Sequence, residues 1–146
     1  MRCGPDLADA LVAEGLSRGE PSDGLVFAAA EVGDGWDDVL AELTAAFQLT
    51  REAVRHQAPV VYVVAHDDLL GRRGPGQAMV ATGLLSGART AAVEQLKAGV
   101  PVNVLAVEQD SDPPAVATWV ARLLEPGGPT GEIVRMGGAH LGKALP

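Results

Sequence analysis

The chain of 146 residues is poor in aromatic side chains, cysteine and positive charge. Its single cysteine, Cys3, cannot form an internal disulfide or a paired-cysteine zinc site, and we expect it to be a bystander near the N-terminus. A net charge of −8 argues against nucleic acid and anionic membranes as partners, because both attract basic patches. No apolar run has the length of a signal peptide or membrane span, so we expect a cytoplasmic protein.

Apolar runs of strand length alternate with segments of helical period, which predicts one α/β domain over residues 1–146. The pattern favours a Rossmann-like three-layer αβα fold, truncated relative to the full fold, with a mainly parallel sheet of about four strands. The predicted strands are residues 24–30, 59–65, 101–107 and 132–136. The predicted helices are residues 5–16, 36–57, 76–98 and 114–124.

Five consecutive segments cover most of residues 22–138: SDGLVFAAA, LTAAFQLTREAV, PVVYVVAHDDLLG, GPGQAMVATGLLSGARTAAVEQLKAGVPVNVLAVE and PTGEIVRMGG. They resemble the short-chain dehydrogenase/reductase (SDR) family, and its 3-oxoacyl-acyl-carrier-protein reductases most of all. In order, they are similar to the Asn-Asn-Ala-Gly strand, the helix after it, the catalytic-serine strand, the active-site helix with its following strand, and the final strand.

The resemblance implies a catalytic tetrad whose positions are occupied here by Glu42, Asp67, Val80 and Leu84. The family has asparagine, serine, tyrosine and lysine there, and residues 27–30 replace its Asn-Asn-Ala-Gly motif. Carbonyl reduction needs a phenol to protonate the alkoxide, an ammonium beside it, and a hydroxyl to bind the carbonyl oxygen. Because none of these groups is present at the matching positions, the sequence predicts no catalytic residues and a degenerate SDR.

Two further parts of the family pattern are missing. Only MRCG precedes Pro5, which leaves no room for the glycine-rich turn that binds a dinucleotide, so we expect no bound cofactor. EQDSD, residues 108–112, stands where active members carry a substrate-closing segment. The helix after Pro5 corresponds either to the family's first helix or to the one before its fourth strand, and the sequence leaves both assignments open.

His66, Asp67 and Asp68 form an alternative polar site, since they follow a strand end, where open α/β sheets bind ligands. A histidine beside carboxylates can act as a general base or bind a metal. Consecutive residues point in different directions and no nucleophile completes the set, so we expect a solvated polar turn and no metal site. A repurposed hydrolase using His66 and Asp67 stays open as an alternative, as does an active reductase that binds NADP.

Gly83, Gly87 and Ala91 recur every four residues on the active-site-like helix. Small residues at this spacing allow close helix contacts, and in the resembling family this helix and the one containing Phe47 form a four-helix dimer interface. Packing on the protein's own sheet would explain the glycines equally simply. An open sheet edge at residues 24–30 adds weight to the interface. The sequence therefore predicts a non-catalytic subunit that assembles with itself, with an active SDR or ketoreductase, or with another enzyme of an acyl-thioester pathway.

Overall fold

A computed structural model describes residues 1–138, so the last residues of the predicted domain, 139–146, lie outside the described part. Its elements follow the predicted alternation closely. They are α1 (Pro5–Ala13), β1 (Leu25–Ala28), α2 (Trp36–Arg55), β2 (Val60–Ala65), α3 (His66–Leu69), α4 (Pro75–Gln95), a 3-10 turn (Leu96–Ala98), β3 (Val102–Val107), α5 (Pro113–Leu124) and β4 (Ile133–Met136).

The strands form one parallel sheet in the order β1-β2-β3-β4. The two central strands, β2 and β3, are buried along almost their whole length, because helices cover both faces of the sheet. This confirms the predicted fold class, a small Rossmann-like αβα fold with about four strands. Among residues 1–138, no helix combines the length and hydrophobicity needed to cross a bilayer.

The two faces of the sheet carry different helix pairs. Alternate strand residues divide between them: Phe27 and Tyr62 pack under α2 and α4, while Val26 and Val61 pack under α1 and α5. Each strand is added to the sheet on the same side of the one before it, but α5 packs on the opposite face of the sheet from α2 and α4. The β3-α5-β4 connection therefore has the opposite hand to the two before it, a departure from the uniform handedness of most parallel sheets.

The outer edge of β1 is partly covered by the chain's own N-terminal residues. The Arg2 N–H donates to the Val26 carbonyl at 2.8 Å, and the Ala28 N–H donates to the Arg2 carbonyl at 2.8 Å. The expectation that this strand leaves an open edge is therefore wrong for the middle of β1. An unpaired edge no longer argues for an interface at this place.

Candidate functional site

The alternative polar site lies where β2 passes directly into the short helix α3. His66 and Asp68 are 4% and 2% exposed, whereas the Asp67 side chain is 45% exposed. The expected solvated turn is thus wrong for two of its three residues. It is a helical turn, and its alternating burial follows because successive helical residues point about 100° apart.

Both carboxylates of this turn are held by arginines. Asp68 accepts two hydrogen bonds from Arg73, at 2.7 and 2.6 Å, and Arg73 also reaches Glu31 at 3.1 Å. These bonds, above all those to Asp68, raise the pKa of the Arg73 guanidinium. Asp67 pairs with Arg72 at 3.0 Å. Both carboxylates are therefore already engaged by cations, and Arg73 links the α3 turn to the loop after β1 through Glu31.

The His66 ring is the unexplained member of the turn. Both of its nitrogens are buried, and neither has a hydrogen-bond partner within residues 1–138. His66 lines a cavity of about 440 Å³ together with Arg72, Gln109 and Asp110. No hydrogen bond joins His66 to Asp67, so the structure does not assemble the histidine-carboxylate pair that a hydrolase of this kind requires. The described residues also contain no cluster of three or more metal-ligating side chains.

Val80 and Leu84, which the resemblance aligns with a tyrosine and a lysine, are both buried in the core. They lie on the side of α4 that packs among Leu25, Phe27 and Val39. Apolar side chains in a closed core stabilise the fold and cannot exchange protons with a substrate. The structure therefore places these two positions together, but inside the protein.

Glu42, which the resemblance aligns with an asparagine, holds the N-terminal segment in place. It is buried, accepts hydrogen bonds from both terminal nitrogens of Arg2 at 2.6 and 2.5 Å, and accepts a third from the Ala30 N–H at 2.9 Å. The Arg2 guanidinium also lies 4.4 Å from the centre of the Phe27 ring. This Arg2-Glu42 clip fastens the N-terminal segment to β1 and α2. Sequence reasoning missed it, because nothing in the sequence relates residues forty positions apart.

The segment after β1, residues 31–35, packs against the N-terminus of α4. Asp34 accepts a hydrogen bond from the Gly76 N–H at 3.2 Å, and Gln77 donates to the Val32 carbonyl at 3.4 Å. A Cβ at Gly76 would lie 2.4 Å from the Gly33 carbonyl oxygen, so only glycine permits this approach. The chain's own backbone therefore fills the space between the carboxyl end of β1 and the start of α4.

The exposed outer surface of α2 and α4, which we call the α2-α4 face, mixes charged residues with large apolar side chains. It carries five of the eight large hydrophobic side chains that are exposed in the described residues: Trp36, Leu40, Phe47, Met79 and Val93. Phe47 is 64% exposed and Val93 is 74% exposed. Clustering of this kind is typical of a surface that binds another protein, whereas scattered exposed hydrophobics are ordinary.

A groove of about 540 Å³ separates the two helices on this face. Tyr62 of β2 forms part of its lining, and the Tyr62 hydroxyl is hydrogen-bonded to Thr50 of α2. Burial raises the pKa of this phenol, an effect that the Thr50 hydrogen bond partly offsets. Arg51, Arg55 and Glu94 bring charges to the lining.

The predicted interface residues occupy different environments. A Cβ at Gly83 would lie 2.8 Å from Cδ2 of Leu43, so this glycine serves contact between α2 and α4 within the chain. Ala91 is also buried. Gly87 is the open position, because a Cβ there would meet no described atom within 4 Å, and Phe47 lies on the same groove. All four residues line the groove, but Phe47 and Gly87 are exposed, Gly83 is half-buried against Leu43, and Ala91 is buried.

No protein-family model matches the chain, and no curated protein matches it either.

Proposed function

We propose that this protein is a non-catalytic, SDR-like subunit that pairs through the α2-α4 face with a second copy of itself or with an active SDR or ketoreductase. Another enzyme of an acyl-thioester pathway is a further possible partner of the same kind. The observation that carries the proposal is the exposed apolar surface around the groove, with Phe47 and Gly87 at its middle. A surface of this kind is costly to leave in water unless it is covered by a partner.

The environments of the four positions that the resemblance aligns with the tetrad support the proposed absence of redox chemistry. Val80 and Leu84 contribute to the core, and both carboxylate oxygens of Glu42 accept hydrogen bonds from Arg2. Asp67 is paired with Arg72. None of the four positions offers a free acid, base or hydroxyl at a place where a carbonyl compound could be reduced.

The residues around the end of β1 do not fit a nicotinamide dinucleotide. Asp34 places a carboxylate at the N-terminus of α4, where it would repel a phosphate, and residues 31–35 fill the adjoining space. Ala28, Ala29 and Ala30 present methyl groups where the family lines its cofactor. We therefore expect no saturable binding of NADPH by calorimetry. Binding at micromolar concentration would favour the competing assignment as an NADP-dependent reductase.

Substitution of Gly87 by leucine tests the pairing surface. The open space at Gly87 should accept leucine within one chain, and loss of a helical glycine should raise the protomer's stability by a few tenths to about 1 kcal/mol. The larger side chain should force a partner away and weaken association by about 1–3 kcal/mol. Light scattering after gel filtration measures the oligomeric state of the wild-type chain and the variant, alone and mixed with active reductases of the resembling family.

Two matched variants sharpen this test. Gly87→Ala makes the same helix-favouring change with little bulk and should leave association nearly intact. Gly83→Leu meets Leu43 inside the chain and should lower the melting temperature of the protomer. A wild-type chain that is monomeric both alone and in all mixtures would refute the proposal.

A further inference from the structure

We infer that the cavity beside His66 binds a small amino alcohol, whose ammonium group pairs with Asp110 and whose hydroxyl group contacts the His66 ring. The cavity lies at the carboxyl ends of β2 and β3, where Ala65 and residues 108–110 form part of its lining. Within the described part of the chain, it shares no lining residue with the groove of the α2-α4 face. The binding that we infer is therefore independent of the proposed pairing.

His66 supplies the first contact. It lines the cavity yet is only 4% exposed, and neither ring nitrogen has a hydrogen-bond partner within residues 1–138. Buried polar side chains in native proteins nearly always have a hydrogen-bond partner, because burial without one is costly. A ligand group that forms a hydrogen bond with the His66 ring removes this cost.

A hydroxyl group suits the imidazole ring in either tautomer. In a neutral imidazole, one nitrogen is a donor and the other is an acceptor. A hydroxyl group both donates and accepts, so it can bond to whichever nitrogen it reaches, whereas an ammonium group only donates and a carboxylate only accepts. The ring therefore favours a hydroxyl group, and the charge preference of the site comes from another part of the lining.

Asp110 sets the charge preference. The two arginines of the lining already hold carboxylates, because Arg72 donates to Asp67 at 3.0 Å. Arg73 donates to Asp68 at 2.7 Å. Asp110 forms no ion pair with another described residue. An ammonium group on the ligand supplies the missing counterion, and the net charge of −8 adds a long-range attraction for cations.

The exposed part of the lining gives a ligand access to the buried ring. Gln109 and Asp110 are both exposed and lie on the loop after β3. Exposed side chains change rotamer readily, so a ligand can enter between them and reach His66. The cavity volume of about 440 Å³ is in the range that holds small organic molecules.

A series of four-carbon ligands tests the site. We expect 4-amino-1-butanol to bind with a dissociation constant on the order of 1 mM, which suits a ligand of few atoms. 1,4-Butanediol replaces the ammonium group by a neutral one and should bind about three- to fivefold more weakly, and the anion 4-hydroxybutyrate about tenfold more weakly. Butylamine lacks only the hydroxyl group and should lose about fivefold.

NMR titration measures binding at the site itself. The ring C–H resonances of His66 should shift saturably with 4-amino-1-butanol. The chain has three histidines, and the resonances absent from His66→Leu identify those of His66.

Three variants provide the matched controls. Asp110→Asn retains the shape of the side chain and should weaken the binding of 4-amino-1-butanol about three- to fivefold. Asp112→Asn makes the same change at an exposed carboxylate outside the lining and should leave binding unchanged. His66→Leu should weaken binding about fivefold without lowering the melting temperature, because it removes a buried polar group that has no partner among the described residues. For His66→Leu, ligand-induced shifts of backbone amides in residues 108–110 replace the ring resonances.

Each contrary outcome overturns a stated part of the site. Binding of 4-hydroxybutyrate as tight as that of 4-amino-1-butanol would overturn the cationic class of ligand. Equal binding of butylamine, or unchanged binding by His66→Leu, would overturn the contact with His66. Equal weakening by Asp110→Asn and Asp112→Asn would show a diffuse attraction to the acidic surface. The absence of saturable shifts with all four ligands would overturn the site, with water as the partner of the ring.

Discussion

Removal of the Glu42 carboxylate should destabilise the protein strongly, because three donors depend on it. Glu42→Ala leaves the two Arg2 nitrogens and the Ala30 N–H without their acceptor. Breaking a buried ion pair typically costs about 3–5 kcal/mol. The Arg2 side chain is 36% exposed, so water can replace part of the lost contact, and we expect about 3 kcal/mol. For a domain of this size, that loss lowers the melting temperature by roughly 6–12 °C.

Two comparisons identify the Arg2-Glu42 clip as the cause. Glu42→Gln retains an acceptor for the Ala30 N–H and for one Arg2 nitrogen, so it should cost about half as much. Arg2→Ala combined with Glu42→Ala should cost clearly less than the sum of the single changes, because the two side chains share one interaction. Urea unfolding followed by circular dichroism measures the free energies, since both tryptophans are too exposed to report well on the core.

Amide exchange adds a local measurement at the edge of β1. The Ala28 N–H donates to Arg2, whereas the Ala29 N–H donates to Val63 on the neighbouring strand. Release of the N-terminal segment should accelerate exchange at Ala28 much more than at Ala29. The reasoning fails if Glu42→Ala stays within about 1 kcal/mol of the wild type and the exchange of Ala28 does not change.

Two further predictions concern the core. The double variant Val80→Tyr/Leu84→Lys should lower stability by roughly 4 kcal/mol or more in thermal melts, because it forces a ring and a charge into closed packing, and should not oxidise NADPH with an acetoacetyl thioester. Turnover would show that a cofactor site exists. Tyr62 is the sole tyrosine, so the phenolate absorbance reports on it alone, and burial should move its midpoint above pH 10. Since the folded-state pKa of Tyr62 is raised, the neutral phenol contributes stability that is complete below about pH 10 and is lost as the pH rises through the folded-state pKa. Tyr62→Phe should remove this part of the alkaline destabilisation. A titration midpoint at or below about pH 10 would contradict the assignment.

The element order was predictable because the strands are continuous apolar runs. Residues 59–65 and 101–107 contain hydrophobic side chains suited to burial on both faces, and their predicted bounds differ from β2 and β3 by one residue. The α3 turn was not predictable, because four residues after a strand carry no helical period. The position of Gly76 likewise depends on the approach of Gly33 from another part of the chain. Contacts of this kind arise only from tertiary packing.

The repeat of small residues on α4 illustrates why the site was harder to predict than the fold. Gly83, Gly87 and Ala91 give one sequence signal, but Gly83 receives Leu43, Ala91 is buried, and Gly87 faces open space. The difference comes from α2, which lies close to α4 at Leu43 and leaves the groove open at Gly87. Spacing along one helix cannot specify the path of its neighbour.

Val80 and the exposed residues of the proposed pairing surface lie on different sides of α4, whereas Leu84 is buried but also lines the groove. Val80 and Leu84 point into the core, whereas Met79 and Val93 are exposed and Gly87 opens onto the groove. Apolar residues at positions 80 and 84, which the resemblance aligns with a tyrosine and a lysine, can therefore fill the core while the exposed side chains of α4 stay in place. On the proposed assignment, the absence of carbonyl chemistry and the presence of a pairing surface depend mainly on different side chains of α4.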